Sequence, residues 1–340
     1  MRTTILFGGL NRERLVSVAS TQALSAQLPD ADLWFWDLGD TVHETTQALL
    51  QGHERPFEMP FKPGSKSFGG IAQALDRAKA ENRLLVLGMH GGMAENGELQ
   101  AMCELRGIPF TGSGSASSFV AFDKNAAKRF AAIAGLKLSA TVALEEIDAA
   151  FNEHGRLIAK PAKDGSSYGL IFVNAKQDLV AVRRAAATEE YLIEAYVAGV
   201  EATCAVLEQL DGSVIALPPI EIIPAEGAFD YEAKYIAKAT QEICPGRFSA
   251  QVTAQLMDCA VKAHKVLSCR GYSRSDFIIT DNGPVYLETN TLPGLTKSSL
   301  YPKALKAQGI EFVDFLKDQI TLAERRARPV VGGFPSNSNV

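Results

Sequence analysis

No run of roughly eighteen apolar residues occurs in this chain, so no membrane-spanning helix is expected. The N-terminus, MRTTILFGGLNRER, turns polar too early for a signal-peptide core, and a cytoplasmic protein is expected. There is no long basic stretch, and 34 Lys and Arg against 39 Asp and Glu give a net charge of -5. That balance excludes the broad positive footprint of a nucleic-acid binder, and no membrane or nucleic-acid partner is expected. The five cysteines (Cys103, Cys204, Cys244, Cys259 and Cys269) form no CxxC pair, and the five histidines show no metal-ligand spacing. A disulfide framework and a zinc site are both disfavoured. No GxxxxGK[ST] occurs, so the chain has no Walker A loop. What remains is an ordinary globular composition, 46% hydrophobic and 21% charged, over 340 residues, enough for two or three domains.

The most informative stretch runs from Ser273 to Ser299. Arg274, Asp276 and Ile278 share one face of a period-2 segment, and Glu288 and Asn290 share a face of the next. Asp281-Asn282-Gly283 between them is hairpin chemistry, and Pro284 suits a strand start. A three-residue loop pairs Thr280 with Pro284 and so sets Asp276 opposite Glu288 and Arg274 opposite Asn290. Facing carboxylates destabilise a ladder unless a cation neutralises them, and oxygen donors of this kind suit Mg²⁺. The alternative is a hairpin whose charges simply face water.

Upstream, Thr3 to Phe7 leads through Gly8-Gly9 into a helical pattern containing Glu13. Asp32 to Leu38 reads as a second strand, and residues 40 to 68 as a long irregular connection. Ile71, Ala74, Leu75 and Ala78 fall at helical spacing before a buried-type strand, Leu84 to Leu87. Alternating strands and helices predict a parallel sheet with its ligand loops at the strands' carboxyl ends, where His90 also falls. Standing alone, His90 could equally be a loop histidine bound to backbone. Asp123 reads as the N-cap of a helix with Lys124 in its first turn. Lys163 to Gly169, after the strand ending in Lys160-Pro161, could fold over phosphates or could be a glycine hairpin. Antiparallel strands are expected to replace the alternating pattern near residue 197. The long stretch 224 to 248 has the features of a lid, and the tail after Arg325 those of a disordered segment.

Taken in order, the chain resembles the D-alanine–D-alanine ligases of the ATP-grasp superfamily over roughly residues 3 to 320. The carriers are GG-x(3)-E-R-x-V-S at Gly8 to Ser17, HGG-x(2)-EN-G at His90 to Gly97, and TGSG at Thr111 to Gly114. They continue with Asp123-Lys124, KP-x(3)-GSSYG at Lys160 to Gly169, LIE at Leu192 to Glu194 and DYEAKY at Asp230 to Tyr235, and end in the hairpin stretch. The resemblance implies an α/β (α+β) ATP-grasp fold of three domains, residues 1–118, 119–196 and 197–325, with residues 326–340 as tail. It implies ATP-dependent formation of D-alanyl-D-alanine through an acylphosphate, for peptidoglycan precursors. Lys124, Lys160, Ser167, Glu194 and Glu201 would bind ATP, and Asp276, Glu288 and Asn290 two Mg²⁺ ions, with Mn²⁺ a possible substitute. Glu13 would receive the first D-alanine and be tied to Ser166 and Tyr235. His90, Lys234, Ser299 and Leu300 would contact substrates, and Arg274 with the backbone near Gly294 would stabilise the tetrahedral oxyanion. A homodimer is implied as well. Tyr168 and Leu292 depart from the family's more frequent valine and serine. A ligase with a different second substrate, or a silent nucleotide-binding regulator, are the other readings.

Overall fold

The computed structural model describes residues 1–165, 168–223 and 240–327. The first sheet holds β1 (Arg2–Gly8), β2 (Asp32–Trp36), β3 (Val42–Thr45) and β4 (Arg83–Leu87) in the order β3-β2-β1-β4. β1 runs parallel to β2 and β4, as the alternation predicts, while β3 is antiparallel. The helices α1 (Arg14–Gln27), α2 (Gln47–Gln51), α3 (Ile71–Ala80) and α4 (Glu98–Arg106) belong to this unit. β2 stops at Trp36, short of the expected Leu38, because Asp37 turns the chain by accepting from the backbone of Gly39 and Thr41. The connection expected to be irregular contains β3 and α2; Val42 N and Glu44 N donate to the carbonyls of Gly69 and Lys66, and Phe68 N donates to the Val42 carbonyl. At the end of β1, Gly8 has φ 95°, and a Cβ there would sit 2.3 Å from the Trp36 carbonyl. Only glycine lets the chain leave the strand in this way.

α5 (Ser115–Phe122) and α6 (Lys124–Ile133) follow, the latter capped by Asp123, whose side chain accepts from Ala126 N at 3.0 Å. A second sheet, β5-β8-β6-β7, comprises β5 (Thr141–Val142), β6 (Leu157–Pro161), β7 (Ile171–Val173) and β8 (Tyr191–Ala195), with α7 (Ile147–His154) and α8 (Leu179–Ala186) packed on its own apolar cluster. All its pairings are antiparallel. Antiparallel order therefore begins near residue 141, well before the expected change near 197. Helices between strands do not fix their direction when the crossover returns the chain beside its start.

The third sheet is also antiparallel. Its path is β12-β11-β9-β13-β14, with β10 beside β9: β9 (Val200–Glu208), β10 (Val214–Ala216), β11 (Ile220–Ile223), β12 (Gln241–Ile243), β13 (Tyr272–Thr280) and β14 (Gly283–Asn290). α9 (Ala250–Val266) buries Leu256, Ala260 and Ala263 against it. α10 (Leu300–Gln308) and α11 (Phe312–Ala327) join the first sheet's core, where Tyr272, Tyr301 and Phe315 pack with ring centroids 5.3 to 5.6 Å apart. α5 runs through residue 118 and α11 through residue 325, so neither of those expected boundaries falls in a loop. Among the described residues no helix is long and apolar enough to cross a membrane.

Candidate active site

The β13–β14 hairpin sets Asp276 opposite Glu288 and Arg274 opposite Asn290, by a route different from the expected one. The turn is shorter, with Thr280 paired to Gly283, and a bulge between Asp276 and Phe277 restores the register. Such a bulge places two residues of one strand against one of the other and re-aims the side chains beyond it. On its other side β13 pairs with β9, which puts Thr203 directly opposite Asp276 and Glu201 opposite Ile278.

Asp276 is heavily engaged. Arg274 donates from Nε and a terminal nitrogen to its two oxygens, both at 2.9 Å, Thr203 Oγ1 donates at 2.5 Å, and Asn290 Nδ2 lies 3.4 Å away. Glu288, across the ladder, faces Lys124 Nζ at 3.6 Å. Lys124 also donates to the Asp164 carbonyl in the loop after β6. On β6, Lys160 reaches Glu194 Oε2 of the neighbouring β8 at 3.3 Å. Glu194 is 2% exposed, and its other oxygen takes Lys128 Nζ and the Ser139 hydroxyl.

At the other end of the site Asn11 ties two loops together. Its amide donates to the His90 carbonyl at 2.9 Å, and its oxygen accepts from Glu13 N at 2.8 Å. Glu13 stands against the loop after β6, since a Cβ on Gly165 would come within 3.0 Å of its Oε1. His90 is buried, with Nδ1 3.1 Å from the Leu292 carbonyl and Nε2 2.7 Å from Ser20 Oγ. A carbonyl only accepts, so Nδ1 carries the proton and Nε2 accepts from Ser20. Burial, aided by the Arg274 charge, lowers the His90 pKa to about 4 and keeps the ring neutral. Glu95 is pushed up to about 8, first by burial and then by the Glu13 carboxylate, and so retains its proton at neutral pH. Where the hairpin strand leaves the sheet, Thr296 N donates to Ser299 Oγ at 3.1 Å, and Gly294 packs so close to Ser299 that a Cβ would lie 2.8 Å from that oxygen.

One cavity of about 690 Å³ joins the two ends of the site. Glu13, His90, Lys124, Lys160, Glu194, Glu201, Arg274, Asp276, Glu288, Asn290, Gly294, Ser299 and Leu300 all line it. Ser166, Ser167, Lys234 and Tyr235, and residues 224–239 of the expected lid, lie outside the described residues, whereas the rest of that stretch contains β12, paired with β11. Sequence reasoning missed four groups here. Glu95 was quoted within a motif without a role, and Lys128 is signalled by its spacing of four from Lys124 on one helix face. Ser139 and Thr203 carry no local signal, because only the long-range strand pairing brings them in. The oxygen donors Asp276, Glu288 and Asn290 fit a hard divalent cation, with Lys124 and Arg274 now holding the negative charge that such a cation would share.

Two antiparallel sheets closing on a lysine- and carboxylate-lined cavity, beside a parallel-sheet unit, define the ATP-grasp class of ligases. Solved structures agree: the VanG D-Ala:D-Ser ligase of Enterococcus faecalis superposes with TM-score 0.79 at 28% identity, over 95% of this chain and 99% of that one. The D-alanine–D-alanine ligase of Bacillus anthracis gives 0.74 at 26%, over 96% and 98%. In sequence, the D-alanine–D-alanine ligase of Halalkalibacterium halodurans is 34% identical over 96% of this chain and 100% of its own length, and that of Cupriavidus taiwanensis 37% over 96% and 92%. Family profiles described as D-ala D-ala ligase N-terminus and C-terminus match residues 2–113 and 143–321. The chain belongs to the D-alanine–D-alanine ligase family.

Proposed function

We propose that this cavity performs ATP-dependent ligation of two D-alanines, with three units, residues 1–118, 119–196 and 197–325, contributing to it. The observation that carries the reading is the convergence, in one cavity, of a cationic pair (Lys124 and Lys160), an all-oxygen donor set on the hairpin, and Arg274 beside them. Lys124 and Lys160 neutralise the triphosphate, while Glu194 and Glu201 line the nucleoside end. Asp276, Glu288 and Asn290 would hold two Mg²⁺ ions, which when bound offset the charge on the transferring phosphoryl group.

Glu13 receives the ammonium of the first D-alanine, next to the buried Glu95. A carboxylate oxygen of that D-alanine bonds to the γ-phosphorus as the bond to ADP breaks. The amine of the second D-alanine, as the free base, attacks the acylphosphate carbonyl, phosphate leaves, and the nitrogen gives up a proton. Arg274 and the backbone near Gly294 stabilise the tetrahedral oxyanion, a kind of donor worth about 3 kcal/mol in other enzymes. His90, held neutral, adds no positive charge to compete for the carboxylate. Ser299 and Leu300, at the start of α10, receive the carboxylate of the second substrate. Ser166, Ser167, Lys234 and Tyr235 are assigned to loop closure by resemblance alone, as are the homodimer and the cytoplasmic location.

The likeness to a D-Ala:D-Ser ligase makes the second substrate the point to test. Purified protein with Mg²⁺, ATP and D-alanine is assayed with D-alanine, D-serine or D-lactate as acceptor, and the products are identified by mass. D-Alanyl-D-alanine as the main product supports the reading. Preference for D-serine or D-lactate moves the acceptor, and silence with all three overturns it.

A further inference from the structure

Lys128 lies one turn beyond Lys124 on the same buried face of α6, yet the two amines go to different places. Lys124 lines the cavity; Lys128 ends behind its wall, on Glu194 Oε1 and 3.0 Å from Ser139 Oγ. Glu194 holds Lys160 on its other oxygen. One buried carboxylate therefore faces two amines, one on each oxygen. Without Lys128, both Glu194 oxygens would be open to Lys160, and an anion in the cavity would have to compete with Glu194 for Lys160. In a partly dry site that competition is strong, because a buried charge left alone is costly.

We propose that Lys128 is a positioning residue that occupies the Glu194 carboxylate so that Lys160 can direct its charge at the nucleotide phosphates. The inference rests on the assignment of Lys160 to those phosphates.

The test compares ADP with adenosine, binding measured by calorimetry on the full chain. Lys160→Met should weaken ADP about tenfold more than adenosine, since the phosphate contact is lost with ADP alone while the Glu194 contact is common to both ligands. If it does not, the phosphate assignment fails and the inference with it. Given that result, Lys128→Met should show the same pattern, with ADP weakened about tenfold more than adenosine, and Lys128→Arg should restore most of the ADP affinity. Equal weakening of both ligands, or no change, would overturn the proposal in favour of a purely structural lysine. The interaction is then tested in a Glu194→Gln background, where no carboxylate competes for Lys160. There Lys128→Met should leave ADP affinity as it is in Glu194→Gln alone, and a further fall would overturn the proposal. This comparison also serves if Lys128→Met fails to fold on its own.

Discussion

Protonating His90 should cost the fold stability in a defined pH window. The ring's ordinary value is 6.5, and burial lowers it to about 4. The folded state thus excludes a proton that the unfolded chain accepts. Stability from this group is complete above 6.5, falls as pH drops from 6.5 towards 4, and levels off below. At about 1.4 kcal/mol per pH unit over that range, His90 accounts for a loss of roughly 2–3 kcal/mol between pH 7.5 and 4.5. The cause is burial: the imidazolium would carry its charge away from water and near the Arg274 guanidinium. His264, buried against Ser273 Oγ at 2.8 Å and also lowered to about 4 by burial, contributes a similar amount. Urea unfolding followed by circular dichroism from pH 4.5 to 7.5 reads the slope directly. His90→Gln should be less stable at pH 7.5 but lose roughly 2–3 kcal/mol less than wild type on acidification, and His264→Gln should behave alike. If His90→Gln keeps the full wild-type slope, the buried neutral ring is not what links this fold to pH.

Thr203→Val removes the hydroxyl that donates to Asp276 Oδ1 while preserving shape. Outer partners of metal-binding carboxylates matter at about the tenfold level, so the Mg²⁺ concentration for half-maximal activity should rise about tenfold with thermal stability nearly unchanged, and titration of activity with Mg²⁺ checks this. Gly294→Ala drives a methyl to 2.8 Å from Ser299 Oγ. Steady-state kinetics with ATP saturating should give a KM for the second D-alanine raised about tenfold and a KM for ATP unchanged, because the displaced hydroxyl lies at the acceptor end.

The hairpin's chemistry could be read from the sequence because it is local: period-2 alternation, a turn signal and four polar residues on one face. Its register came out as expected although the loop length did not, since the short turn and the bulge after Asp276 cancel. The first sheet was legible for a similar reason, with apolar runs ending in Gly8-Gly9 and His90-Gly91. What could not be read is what depends on pairing between distant segments. The antiparallel second sheet, Thr203 beside Asp276, and Ser139 with Lys128 on Glu194 are set by which strands become neighbours, and no residue near them in sequence announces it. The short strand within residues 40 to 68 was hidden because β3 is held by backbone pairing with β2 and with residues 66–69, not by an apolar repeat of its own.

The measurement that tests the central claim most directly is the ratio of dipeptide formed to ADP released, with Mg²⁺-ATP and D-alanine, for wild type and Glu288→Gln. The account predicts one D-alanyl-D-alanine per ADP in the wild type. It predicts loss of both products together in the variant, because Gln keeps the shape but removes the charge that faces Lys124 and would hold the cation. ADP release without dipeptide in the wild type, or full activity in Glu288→Gln, would contradict it.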